Sequence, residues 1–223
     1  MLKALVFKEW LKIRWAGLIM LAVFLLAAGK TALNISYGIR ILGANNFWGE
    51  IILKNYPFFN DYLYLPALTG IVIGIAQFFP EITDNRLKLT LHLPLKENNI
   101  LLYMTFLGAS FVFFISMVSI FVMGVITIAY FPAEVLYAMI QTSLPWVLAG
   151  LAGYFGTITV FVEPIWFKRI FFILIFVSYI QALLEPTHLN YFQHSLPEFT
   201  IVTLFFSIAI LFSGHRFRKG VLK

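Results

Sequence analysis

The sequence predicts an all-α integral membrane protein. Residues 1–223 form one domain of six transmembrane helices behind an amphipathic N-terminal segment, with both termini on the same side. Three observations predict this. First, 61% of the 223 residues are hydrophobic and 12% are charged, against roughly 45–50% and 25% in soluble domains. Second, the mean hydropathy is +0.90, and one globular core of this size cannot hide so much apolar surface, so the solvent is lipid. Third, the basic residues sort to one side of the predicted spans. The net charge of +6 does not point to nucleic acid, because the bases form no readable nucleic-acid motif. With no cysteine, a disulfide framework, thiol catalysis and Cys-based metal sites are excluded.

Residues 2–14 place Leu2, Val6, Trp10 and Ile13 on one helical face, with Lys3, Lys8, Lys12 and Arg14 flanking it. Glu9 interrupts that face, and Phe7 and Leu11 lie opposite. The pattern predicts an elbow helix lying in the membrane interface; the competing reading is that it simply extends the first span. Bases before an apolar run also suit a signal peptide, but several more spans follow, so the run reads as retained.

Span 1 is expected over 15–37. Its uncharged part, 15–29, covers only ~22 Å, so the span must continue past Lys30. Lys30 and Arg40 then sit near an interface, where long side chains snorkel. Residues 41–60 read as an outer connection with turn chemistry at Asn45-Asn46 and aromatics at interface depth. Span 2 is expected over 61–79. Its Gly70 and Gly74 have the four-residue spacing that lets helix backbones approach closely.

Residues 80–97 hold six charges, three of each sign: Glu81, Asp84 and Glu97 against Arg86, Lys88 and Lys96. At ~3 kcal/mol per charge near a bilayer centre, such a cluster is excluded from lipid. A water-exposed loop is therefore expected between spans 2 and 3. Span 3 covers 98–131, longer than one crossing needs without tilt. Phe131-Pro132 breaks it. Span 4 covers 135–162, with Pro145 inside it as a predicted kink and a small-residue stripe at Ala149, Ala152, Gly153 and Gly156. Glu163-Pro164 ends it. Span 5 covers 170–184, a polar loop 185–198 follows, and span 6 covers 199–213.

With the N-terminus inside and six crossings, 13 of the 16 bases fall on the inner side; only Lys30, Arg40 and Lys54 fall outside. Such sorting over short loops predicts a cytoplasmic location for both ends and for 80–97.

Other chemistry reads weakly. Gly29-Lys30-Thr31 ends like a phosphate-binding loop, but Phe24 stands where the first Gly belongs. The chain therefore carries no motor of its own. His188, His194, Glu185 and Glu198 offer metal-ligand types, but read as a polar loop, so no metal is expected. Glu163 and Glu185 read as isolated acids at span ends, which leaves no paired acids for hydrolysis within the membrane. No catalytic residue is expected. Lys30, Asn34 and Gln77 are the polar candidates for a substrate path. An absence of acids at mid-membrane argues against ion-coupled carriage and for an external energy source with an amphipathic substrate. The alternatives are an ATPase-independent carrier or channel, and a membrane assembly or anchoring protein.

The start FKEWLKIR, the six spans and the loop FFPEITDNRLKLTLHLPLKENNILLYM together resemble an ABC-2 type permease, the membrane subunit of an ATP-driven exporter. The residue-level likeness covers 7–14 and 79–104. Asn85-Arg86 and Leu95-Lys96 depart from the family pattern. The resemblance implies a coupling helix in the loop after span 2. Glu81, Asp84 and Arg86 would supply its charge pairs, and Ile82, Leu87 and Leu89 an apolar anchor, for docking a cytoplasmic ATPase. It further implies a second permease copy or paralogue. The chain itself binds no cofactor; ATP and Mg belong to the partner. The expected location is a bacterial inner membrane.

Overall fold

The computed structural model describes residues 2–53, 57–83, 97–185, 189–192 and 194–218. Seven α-helices run in order: α1 (Leu2–Leu42), α2 (Ala44–Leu53), α3 (Leu65–Thr83), α4 (Glu97–Tyr130), α5 (Ala133–Val162), α6 (Trp166–Leu184) and α7 (Leu196–Arg218), with a 3₁₀ turn at Asn60–Tyr62. No strand occurs among the described residues. Six helical segments are long and apolar enough to cross a membrane. The chain is thus built as a multi-pass membrane protein.

The breaks follow local chemistry. Gly43 adopts φ +75°, and its N–H donates to the Ile39 carbonyl at 3.1 Å; a left-handed glycine of this kind closes a helix. Pro132 is extended and precedes the first residue of α5, where its missing N–H is harmless. Glu163 is also extended, as a residue before proline prefers. Helix α5 continues through the buried Pro145.

Three sequence expectations change. Residues 2–14 are not a separate elbow: α1 runs unbroken for 41 residues, with no Gly or Pro before Gly17 to interrupt it. Residues 41–60 contain a helix, α2, rather than only turns. The expected loop 80–97 begins as helix, because α3 extends to Thr83 and carries Pro80 and Glu81 in its last turn. Asp84, Arg86, Leu87 and Leu89 lie outside the described residues.

Side-chain register fixes helix directions. Gly70 abuts Gly150 and Phe79 meets Phe161 at 6.1 Å, so α3 and α5 are parallel. Trp10 meets Phe111 at 5.4 Å and Ser36 meets Tyr130 at 3.0 Å, so α1 and α4 are parallel too. Gly156 faces Phe176 while Asn190, beyond α6, donates to Thr142 at 3.0 Å; α5 and α6 are antiparallel. Phe176–Phe206 and Tyr179–Phe199 contacts make α6 and α7 antiparallel. Helices α1, α4 and α6 therefore run one way, and α3, α5 and α7 the other, as successive crossings require.

Helix α5 is the centre: 72% of its most apolar stretch is buried, against 11% for α6. Its small residues explain why. A Cβ on Gly70 would overlap the Gly150 carbonyl, and one on Gly153 would lie 2.9 Å from the Ala67 carbonyl oxygen. Gly74 faces Thr157 in the same seam. Ala149 is fully buried with Ala67 and Leu183, joining α3 and α6 across α5. Close backbone approach gains dispersion contacts, which drive helix association where lipid removes the hydrophobic difference.

Candidate functional site

One end of the bundle gathers the beginnings of α1, α4 and α6 with the ends of α3, α5 and α7. There, two buried carboxylates meet. Glu81 stands in the last turn of α3 and is fully buried, as is Glu9 of α1. Lys12 Nζ lies 2.6 Å from Glu81 Oε1 and 2.6 Å from Glu9 Oε1. Lys8 Nζ adds a contact of 2.8 Å to Glu81 Oε1. Lys8 and Lys12 are one turn apart on α1, so both reach the same face of α3.

The network continues inward. Gln77, one turn before Glu81, donates from Nε2 to Glu9 Oε2 and to the Met104 carbonyl, each at 2.9 Å. Its Oε1 accepts from the Tyr154 hydroxyl at 2.7 Å. Helices α1, α3, α4 and α5 are thereby joined through charged and amide groups. A Cβ at position 108 would overlap both Tyr154 Oη and Gln77 Oε1; only glycine leaves the space. Two carboxylates and two ammonium groups sum to zero. That balance makes burial tolerable where a lone ion is not.

A second tie stands at the same end. Glu163, just past α5, is fully buried, and its Oε2 accepts from Ser213 at 2.8 Å and lies 3.1 Å from an Arg216 nitrogen. Arg169 Nε donates to the Glu163 carbonyl at 2.6 Å. Glu163 is thus not the isolated acid its sequence position suggests, because α7 returns beside α5. Among the described residues, no three His, Cys, Asp or Glu side chains form a group able to hold a metal ion.

The residues singled out by sequence fall apart spatially. Glu81 is inside the bundle and does not present its carboxylate to solvent; the two lysines cover it. Ile82 beside it is half-buried. Lys30 is exposed at the opposite end, 2.7 Å from Asp61, and Asn34 faces outward one turn on. Gln77 is buried in the network. These three are not brought together: Lys30 and Asn34 stand toward the far end of α1, Lys30 beside Asp61, while Gln77 lies in the network at the other end.

Sequence reasoning missed Lys8, Glu9, Lys12, Gly108 and Tyr154 as members of one site. The available signal was a matched spacing: Lys8 and Lys12 four apart on α1, Gln77 and Glu81 four apart on α3. Glu9, which interrupts the apolar face of residues 2–14, completes this pairing through Lys12 and Gln77. Comparison with family models, curated proteins and solved structures finds no match.

Proposed function

We propose that this chain is the membrane-spanning permease subunit of an ATP-driven transporter, of the ABC-2 type its sequence resembles. It moves an amphipathic substrate outward. The observation that carries the reading is the tie between Glu81 and α1. The segment 84–96 leaves directly from the turn that Lys8 and Lys12 grip. A force applied to that segment by a soluble ATPase reaches α1 through ion pairs at 2.6 and 2.8 Å. Glu81 is then a positioning residue that transmits motion, while docking contacts belong to Ile82, Asp84, Arg86, Leu87 and Leu89.

Charge distribution supports the orientation. Lys3, Lys8, Lys12, Arg14, Lys168, Arg169, Arg216 and Arg218 belong to the network end, against Lys30 and Arg40 among the described residues at the other. The positive-inside rule assigns the network end to the cytoplasm, where an ATPase with ATP and Mg is available. A bacterial inner membrane and a second permease copy complete the reading. Ion-coupled carriage is disfavoured because the buried Glu9 and Glu81 carboxylates share the Lys12 ammonium at 2.6 Å and the buried Glu163 carboxylate pairs with Arg216 at 3.1 Å.

The test is mild detergent extraction followed by transport from proteoliposomes. The complex should contain an ATPase subunit. Glu81→Gln keeps the side chain's size but removes its charge; it should leave the ATPase bound and hydrolysing while transport per ATP falls about tenfold, the effect of losing one buried charged contact. Undiminished transport in that variant, or extraction without an ATPase, would sink the reading.

A further inference from the structure

Helices α6 and α7 are the least enclosed by protein: 11% and 17% of their most apolar stretches are buried, against 72% for α5. Among the described residues, their mutual ring contacts are Phe176–Phe206, Tyr179–Phe206 and Tyr179–Phe199, all from the middle of α6 onward. At the network end both helices are tied to Glu163 instead, through Arg169 of α6 and through Ser213 and Arg216 of α7.

Cations outnumber the acid there. Lys168, Arg169 and Arg216 carry three positive charges against the one negative charge of Glu163, a balance of +2. Glu163 is fully buried, so its charge is covered while the bases are partly open to the surroundings. The first turn of α6 holds no acid and Ile165 gives it no side-chain cap. The positive end of that helix dipole therefore adds to the same field.

Neither guanidinium is used up. Arg169 donates Nε to the Glu163 carbonyl. Arg216 reaches one carboxylate oxygen from one terminal nitrogen at 3.1 Å, and its Nε donates to the Phe212 carbonyl at 3.4 Å. Glu163 Oε1 accepts no hydrogen bond, so the acid and Arg216 do not close a two-point fork. Each guanidinium has five N–H donors, which leaves terminal ones on both for an outer acceptor. Phosphate oxygens suit that planar geometry.

Aromatic residues set the depth. Trp166 is 71% exposed, with the Arg169 guanidinium carbon 5.7 Å from its ring centre. Exposed tryptophan settles at headgroup level. Deeper in the membrane, Phe171 of α6 and Phe212 of α7 are also exposed.

We propose that Lys168, Arg169 and Arg216 bind the phosphate of an acidic phospholipid in the leaflet at the network end, with its acyl chains along Phe171 and Phe212. Charge selects the class. A zwitterionic headgroup brings its own cation, which this cluster repels. The bound lipid ties α6 to α7 from outside, as Glu163 ties them from within. The inference needs the membrane-spanning fold and no ATPase.

The test is native mass spectrometry of the full detergent-purified chain, titrated with dioleoylphosphatidylglycerol or dioleoylphosphatidylcholine. The acidic lipid should bind about tenfold more tightly, as one or two added cationic contacts imply. Lys168→Gln should weaken its binding about fivefold, and Arg169→Lys should weaken it further by losing the planar fork. Lys3→Gln removes the same charge from α1 at the same end and should change nothing. Glycerol 3-phosphate, which has the phosphate without the chains, should not compete at equal concentration. Equal binding of the two lipids would overturn the proposal. An equal loss in Lys3→Gln would reduce the effect to general charge attraction and overturn it too, and competition by glycerol 3-phosphate would replace the lipid with a free phosphate. Should Arg169→Lys fail to fold, Lys168→Gln set against Lys3→Gln still decides.

Discussion

At one end of the bundle Lys12 lies 2.6 Å from each of two carboxylates; at the other, Lys30 lies 2.7 Å from Asp61. The distances are nearly equal and the surroundings are not. The Lys12 side chain is 13% exposed and its acids not at all, whereas Lys30 is 64% exposed. An exposed pair gains little in high dielectric and loses side-chain entropy. A buried pair has already lost its hydration, so removing one partner strands the other. The far end is closed instead by rings: Phe58 packs on Phe131 at 4.8 Å and Phe59 on Trp146 at 5.1 Å. One end is held by ions that must stay paired, the other by oily contacts that tolerate adjustment.

The sharpest way to break this contrast is Lys12→Met. It should leave Glu9 and Glu81 short of a cation and cost about 3–5 kcal/mol, read as a lowered thermal midpoint of the detergent-purified chain. Next comes Gly108→Ala. Its methyl group would push Tyr154 and Gln77 apart, costing about 1–3 kcal/mol as over-packing does. Tyr154→Phe should also cost about 1–3 kcal/mol, because it leaves the buried Gln77 Oε1 without its donor. The smallest effect belongs to Lys30→Met, under about 1 kcal/mol by the same melting assay. If Lys30→Met matched Lys12→Met, burial would not be what separates the two ends.

The six crossings were legible because apolar runs end at chemically unmistakable places. Phe131-Pro132 and Glu163-Pro164 terminate helices within a residue or two of where the chain does turn. The elbow was not separable, because amphipathic patterning reports which face is wet and not whether a helix bends. Lys12 and Arg14 look like the edge of a span, yet neither breaks a helix. The network was half legible. Its spacing is written in Lys8, Lys12, Gln77 and Glu81, but which helix faces which is a tertiary fact. Tyr154 and Met104 join through the register of α5 and α4, set by Gly70 against Gly150 and by glycine at 108. Glu163 teaches the same lesson, since its partners lie 50 and more residues away on α7.

The bond between Lys12 and Glu81 spans 69 positions of chain, and this bears on how the protein is made. While α1 emerges from the ribosome, Lys8, Glu9 and Lys12 have no α3 to meet. They must wait in the hydrated headgroup layer, where charged side chains are cheap to keep. Only when Glu81 has been synthesised can the four charges neutralise one another and sink together. A nascent chain truncated before residue 81 should therefore hold its first helix in a shallower position than the finished protein does, a difference that depth-dependent labelling of α1 would read.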